Sequence, residues 1–305
     1  MNVRFALPIA ALLAGLLGPS AARAAEAPPG ATALLAAAVD PAAVLPGIPL
    51  DDLTPEQQQV LARWALSDFC ACGCPHTVSE CLRTHHACKH AARMVRLAAA
   101  VVGAPGATPE ALRAYVRSYY ASFDRRAVLD VKAFGPPLGK EDAPLGLVEF
   151  SDFTCPFCQQ LRPALEAFVK AHPELRLYFK PFPLVQHQNA MEAAIAGEWG
   201  RDHGKLWAMH DALFEAGDHG LDALADAAEG AGGDPSDLRE AVTSRRAEAR
   251  VRASISEGVK AGVDGTPTLF LDGRRLALPA LSPEWLQFTL EDELEWRKRK
   301  GWEKD

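Results

Sequence analysis

Aromatic residues are sparse in this chain of 305 residues, at 8%, and long apolar runs are sparser still. Beyond the first two dozen residues no segment reaches the ~18 uninterrupted apolar residues of a membrane helix, so no membrane span is expected in the mature chain. Basic clusters are also missing. With 32 Lys and Arg against 39 Asp and Glu the net charge is -7, and an acidic chain without a basic patch argues against nucleic acid and anionic membrane as partners. There is no C-x-x-C-H, so covalent c-type haem is not indicated. No internal repeat is visible.

What the chain does have begins at its N terminus. A basic start, "MNVR", leads into the apolar "FALPIAALLAGLLG" and then "SAARA". This pattern is that of a secretory signal over residues 1–24, with cleavage after Ala24 and a periplasmic destination. Its removal takes away Arg4 and Arg23 and no acid, leaving the mature chain two charges more negative. No cysteine follows the cleavage point, so no lipid anchor is suggested. Seven cysteines in an exported chain point to disulfide chemistry, and the odd number means that simple pairing cannot use them all.

Residues 25–50, rich in Ala, Pro and Gly, are expected to be a linker. The stretch 51–127 follows as a three-helix domain, its starts marked by Thr54 with Gln57, Thr77 with Glu80, and Thr108 before Pro109. The second of these helices is expected to run from about His76 towards Val102. The domain holds Cys70, Cys72, Cys74, Cys81 and Cys88. A turn-rich junction then opens a domain at 128–300. There "LGLVEFSDF" and "LRLYFKPFPL" have the composition of buried strands, and "TPTLFLDGRRLAL" that of a hairpin turning at Asp272-Gly273. Residues from about Gln186 to Val263 are helical in pattern, with Trp199, Trp207, Met209 and Phe214 as core. Ser282 is expected to cap a last helix with a basic end.

The chemistry concentrates in "EFSDFTCPFCQQLRP", Glu149–Pro163. A strand delivers Cys155 to a helix start, with Pro156 in the first turn. Free N–H groups and the positive end of the helix dipole there favour a thiolate, lowering its pKa from ~8.5. Cys158, one turn on, faces inwards and can close a disulfide. Cys155 is thus the expected exposed nucleophile and Cys158 the resolving thiol. Two other readings compete: a structural disulfide, which would stabilise little across so short a loop, and a zinc half-site, for which this domain has no further Cys.

The segments "GKEDAP", "LVEFSDFTCPFC", "FKPFPL" and "GTPTLFLDG" resemble thioredoxin-fold disulfide oxidoreductases of the DsbA-like type. The resemblance implies an α/β thioredoxin fold with a long helical insertion, preceded here by a small all-α Cys-rich bundle. It further implies that Pro267 is a cis-proline facing Cys155 and Cys158, with the Thr266 backbone pairing to an extended substrate. Glu149 stands where such proteins often carry a buried acid. It is expected to accept the Cys158 proton, through water, with Lys180 as its pair on the neighbouring strand; a structural ion pair is the other reading. Pro156-Phe157 adds no cation to the site. Oxidase, reductase and isomerase stay open, with dithiol oxidation slightly ahead because of the compartment.

"CACGCPHTVSECLRTHHAC" supports three readings: structural disulfides, a second redox centre exchanging electrons with Cys155, or metal binding by these thiols with His76, His85, His86 or His90. If one straight helix carries Cys81 and Cys88, they lie about 10 Å apart and cannot bridge each other. The spacing matches no standard zinc pattern, although C-x-C would suit copper(I). The helical layout weakly resembles the bundle of CcmH-type cytochrome c biogenesis proteins, but has C-x-C-x-C where they carry C-x-x-C. The expectation is therefore an exported thiol–disulfide oxidoreductase acting on protein thiols and disulfides, with a membrane redox partner compatible with that role. It calls for no cofactor and assigns no metal. The alternative is a copper- or zinc-handling or redox-scaffold protein, linked to cytochrome c biogenesis.

Overall fold

The computed structural model describes residues 38–85, 88–132 and 135–302. The signal segment with its cleavage point, the first half of the expected linker, and His86 lie outside the described residues. Among the described residues no helix is long and apolar enough to cross a membrane. The chain divides into two compact units, Met1–Phe123 with Leu278–Ala280 and Gln287–Asp305, and Asp124–Ala277 with Leu281–Leu286.

The first unit is helical. Its elements are α1 (Pro41–Val44), α2 (Pro55–Ser67), α3 (Val78–Thr84), α4 (Lys89–Val101) and α5 (Pro109–Ala121). The capping boxes Thr54–Gln57 and Thr77–Glu80 form as expected, and Thr108 caps α5. Two expectations change. Residues 38–50 are packed rather than a free linker: Asp40 caps α1, Leu45 is buried, and Ser79 Oγ donates to Val44 O at 2.8 Å. The expected second helix is two helices, because the backbone leaves helical geometry at His85 and resumes with Cys88 as N-cap.

The second unit is built on a five-stranded sheet of order β1-β3-β2-β4-β5. Its strands are β1 (Leu138–Gly139), β2 (Leu145–Ser151), β3 (Leu175–Pro181), β4 (Thr268–Leu271) and β5 (Arg274–Arg275). Strands β2 and β3 run parallel, joined through α6 (Pro156–Ala171); β4 and β5 are antiparallel additions. Six of the seven residues of β2 are buried, which is why its sequence is nearly continuous in apolar residues rather than alternating. The hairpin turns at Asp272 (φ 49°) and Gly273 (φ 80°), the left-handed pair that a tight two-residue turn needs. A Cβ at Gly273 would collide with the Ala127 carbonyl, so glycine also admits the Ala127 N–H bond to Gly273 O at 2.8 Å.

Between β3 and β4 lies the helical insertion: α7 (Ala190–Asp202), α8 (Leu206–Glu215), α9 (Leu221–Gly230), α10 (Pro235–Thr243) and α11 (Glu248–Lys260). Trp199, Met209 and Phe214 are buried in its core; Trp207 is half-buried, its indole N–H donating to Pro136 O at 3.1 Å. This is the α/β thioredoxin arrangement with a helical insertion that the sequence suggested. The last helix, α12 (Pro283–Arg299), starts with Ser282 O accepting from Leu286 N at 2.9 Å. From Gln287 onwards it groups with the helical unit rather than with the sheet. Buried Asp292 explains why: it receives Tyr119 OH at 2.7 Å and the Arg93 guanidinium at 2.5 Å.

Candidate active site

Strand β2 ends at Ser151, and four residues bring the chain to Cys155. Buried Asp152 shapes this turn, accepting from Thr154 N (2.9 Å), Thr154 Oγ1 (2.7 Å) and Leu184 N (2.9 Å), while its backbone carbonyl accepts from Cys155 N at 3.0 Å. Cys155 is left as N-cap of α6, with Pro156 next. The helix-start amides of Phe157 and Cys158 therefore point towards its sulfur.

The two thiols are driven apart electrically. Donation from the Cys158 thiol is the largest influence lowering the Cys155 pKa, to about 5. Burial opposes it, while the Thr266 hydroxyl and the amides of Cys158 and Phe157 add to the lowering. Cys158 moves the other way: burial pushes it up, its bond to Cys155 pushes it further, and the charge of Glu149 adds to both. One sulfur is thus an anion at neutral pH and the other stays protonated.

Cys155 is not the exposed sulfur expected from sequence. It is 2% exposed and Cys158 is fully buried. The Thr266–Pro267 peptide is cis, and Thr266 O lies 3.5 Å from Cys155 Sγ. A protonated Cys155 donates to that carbonyl. An ionised one can instead accept from the Thr266 hydroxyl, which has no hydrogen-bond partner among the described residues.

Glu149 is buried in the central strand, and burial raises its pKa to about 7. Its partner is not Lys180. In the β2–β3 register Glu149 stands beside Phe179, and Lys180 beside Phe150. Neighbours along a strand point to opposite faces, so Lys180 lies on the other side of the sheet. There it pairs with Glu257 and sits 5.7 Å from the Phe150 ring centroid. Glu149 instead accepts from Ser151 Oγ at 2.8 Å, and the same side chain pulls the Cys158 pKa down against its burial. Sequence reasoning missed Ser151 and Asp152. The two-residue offset from Glu149 was a signal for the first, and the D-x-T turn pattern for the second.

In the helical unit the five cysteines also meet. The sulfurs of Cys70, Cys72, Cys81 and Cys88 lie within 4.8 Å of one another. Cys74 flanks them, 3.0 Å from Cys72 Sγ and 3.1 Å from Cys81 Sγ. The inferred 10 Å separation of Cys81 and Cys88 is overturned, because the break at His85 folds the second of them back. His76 lies with Cys74 and Cys81, and its ring is 4.4 Å from that of His85. His90 is instead packed among Tyr120, Trp302 and Arg299.

A sheet flanked by helices, with a C-x-x-C at the start of the helix after its central strand and a cis-proline opposite, defines a thioredoxin-class protein. The Thioredoxin family model matches residues 134–292, more than half of the chain, and the chain belongs to that family. It is 34% identical over 139 residues to the Na(+)/H(+) antiporter NhaA 3 of Salinispora tropica, covering 45% of this chain and 21% of that protein. The chain therefore spans about a fifth of that relative's length. It is also 34% identical over 85 residues to the "Probable disulfide bond formation protein D" of Bacillus anthracis, covering 26% of this chain and 39% of the other. The oxidised BdbD structure from Bacillus subtilis aligns with a TM-score of 0.49 at 23% identity, over 56% of this chain and 97% of that one. The DsbA-like resemblance read from the sequence fits this family and this layout.

Proposed function

We propose that the protein is an exported, periplasmic thiol–disulfide oxidoreductase, working on protein substrates through Cys155 and Cys158 in the direction of dithiol oxidation. The observation that carries this reading is the opposite displacement of the two thiol pKa values at the helix start. A low-pKa Cys155 is a good leaving group and stabilises the reduced pair, which makes the oxidised pair a better oxidant.

A substrate thiolate attacks Cys155 Sγ of the disulfide form. A mixed disulfide forms, the Cys155–Cys158 bond breaks, and Cys158 leaves as a thiolate. Its proton comes from Glu149 through the Ser151 hydroxyl, a side-chain route in place of the water expected from sequence. A second substrate thiolate then attacks the substrate sulfur of the mixed disulfide and expels Cys155 as the stabilised thiolate. Two electrons pass from the substrate dithiol to the cysteine pair, and from there to the disulfide of a membrane redox partner. Thr266, beside the cis-proline, offers its backbone to an extended substrate segment.

The test uses Cys158→Ala. Incubated with substrate proteins carrying disulfides, it should accumulate mixed disulfides on Cys155, separable by non-reducing electrophoresis. Absence of such adducts, with Cys155 still alkylatable, removes from Cys158 the attack on the mixed disulfide, which is the reverse of its departure in the oxidation step, and with it the proposed exchange.

A further inference from the structure

The Cys155 chemistry leaves the helical unit's sulfurs unused. Four of them converge from three separate pieces of chain. Cys70 and Cys72 come from the loop after α2, Cys81 from α3, and Cys88 from the N-cap of α4. The loop is closed at its base by the Phe69–Thr77 bridge, by Cys70 N–H to His76 O (3.1 Å) and by Val78 N–H to Asp68 O (2.8 Å). Gly73, at φ 84°, allows the tight turn inside it. Cys88 N–H donates to His85 O at 2.8 Å, which holds the break that returns Cys88 to the group. Met94 Sδ accepts from Ala71 N at 3.2 Å and fixes the loop from behind.

Disulfide pairing accounts for only part of this arrangement. The two shortest contacts, Cys72–Cys74 and Cys74–Cys81, share Cys74, and pairing Cys70 with Cys88 and Cys74 with Cys81 leaves Cys72 over, although it lies within the same quartet. Within the quartet, Cys70 and Cys88 are 3.5 Å apart and every pair is within 4.8 Å. A tetrahedral metal–thiolate centre with bonds of ~2.3 Å has sulfur–sulfur edges of about 3.8 Å, inside that range. A disulfide takes two sulfurs at ~2.05 Å; a cation takes all four together.

We infer that Cys70, Cys72, Cys81 and Cys88 form a metal site for one thiophilic d10 cation, zinc(II) or copper(I), bound by thiolates. Soft sulfur donors select these ions, and a four-sulfur tetrahedral set is the closed, structural kind of site. Each thiol that ligates gives its proton to solvent, and no electron moves. The ion clamps the loop, α3 and α4 together. Cys74 stands next to the centre without belonging to the quartet. Sequence spacing concealed the site because the four ligands become neighbours only through the bridge at Phe69 and the break at His85.

The test is zinc binding by the reduced full-length chain, read by metal analysis after chelator washing and by native mass spectrometry. The expected result is one zinc per chain. Cys70→Ser, Cys72→Ser, Cys81→Ser and Cys88→Ser should each lower it at least tenfold, while Cys74→Ser and Cys155→Ser keep it. Cobalt(II) in place of zinc should give the intense visible bands of tetrahedral thiolate coordination. An anaerobic copper(I) arm separates the two ions, since copper(I) needs fewer of the four thiols. Should a variant fail to fold by circular dichroism, alkylation of the wild-type chain decides: bound metal must shield these four cysteines and leave Cys155 reactive. Retention of neither ion overturns the site, as does equal binding by the folded quartet variants. Because Cys155→Ser keeps the metal and loses disulfide exchange, failure of one assignment leaves the other standing.

Discussion

The two groups of cysteines in this chain differ in burial and in how their surroundings treat a sulfur: Cys155 and Cys158 are both buried, whereas of the five in the helical unit Cys70 and Cys81 are buried and the others half-buried. At Cys155 the neighbours are donors: a thiol, a hydroxyl and two amides lower its pKa to about 5. In the helical unit the neighbours are mostly other sulfurs: burial pushes Cys70, Cys72 and Cys81 up, whereas Cys74, with burial opposing, is lowered to about 6 by the thiols of Cys72 and Cys81. A neighbouring thiol thus lowers one sulfur in each group, and Cys155 differs by the hydroxyl and the helix-start amides that are also aimed at it. Four sulfurs that converge from separate pieces of chain suit a cation that brings its own charge.

The sharpest way to break this contrast is by deletion. Cys155→Ala should reduce dithiol oxidation and insulin reduction to background, whereas Cys74→Ala should stay within about twofold of wild type. Retained turnover in Cys155→Ala would refute the assignment. Next in size is Glu149→Gln, which should slow formation of the mixed disulfide, the step in which Cys158 departs and is protonated, roughly 10²-fold, the lower end for a lost general acid–base group. The same change probes stability. Glu149 has a folded pKa of about 7 against an ordinary 4.5, so it stabilises the fold below pH 4.5, and that contribution is lost as pH rises through 7. Urea midpoints should show this decline in wild type and not in the variant.

The pH dependence of the Cys155–Cys158 potential is a finer probe. With Cys155 titrating near 5 and Cys158 far above, the potential should fall by about 59 mV per pH unit below pH 5 and by about 30 mV above it. A slope that changes only near pH 8.5 would place Cys155 with ordinary thiols. Smaller again, Gly273→Ala should cost about 1–3 kcal/mol, since it combines a left-handed backbone with the clash at Ala127. Thr77→Ala, which removes the cap beside the sulfur loop, should cost ~1 kcal/mol in thermal unfolding.

Much of the site was legible because it is local. Cys155, Pro156 and Cys158 sit on one helix start, and the caps at Thr54, Thr77 and Thr108 are read within four residues. The hairpin at Asp272-Gly273 is read from two. Lys180 was misplaced because its face depends on the register of β3 against β2, and a period of two reverses the outcome with one step. Cys81 and Cys88 were misplaced because a helical pattern was carried through His85, where the backbone leaves the helix.

By itself, then, the amino-acid order determined most helices and the main strands, set by capping, periodicity and turn chemistry within a few residues; the class of fold followed from the resemblance of its motifs to a known family, and Cys155 stood out as the candidate leading sulfur by its place at a helix start. Tertiary structure alone decided that Lys180 faces away from Glu149, that Thr266 O lies against Cys155, and that four cysteines from three pieces of chain converge. Those outcomes depend on strand register and chain reversal, which place residues far apart in sequence within a few ångströms of each other.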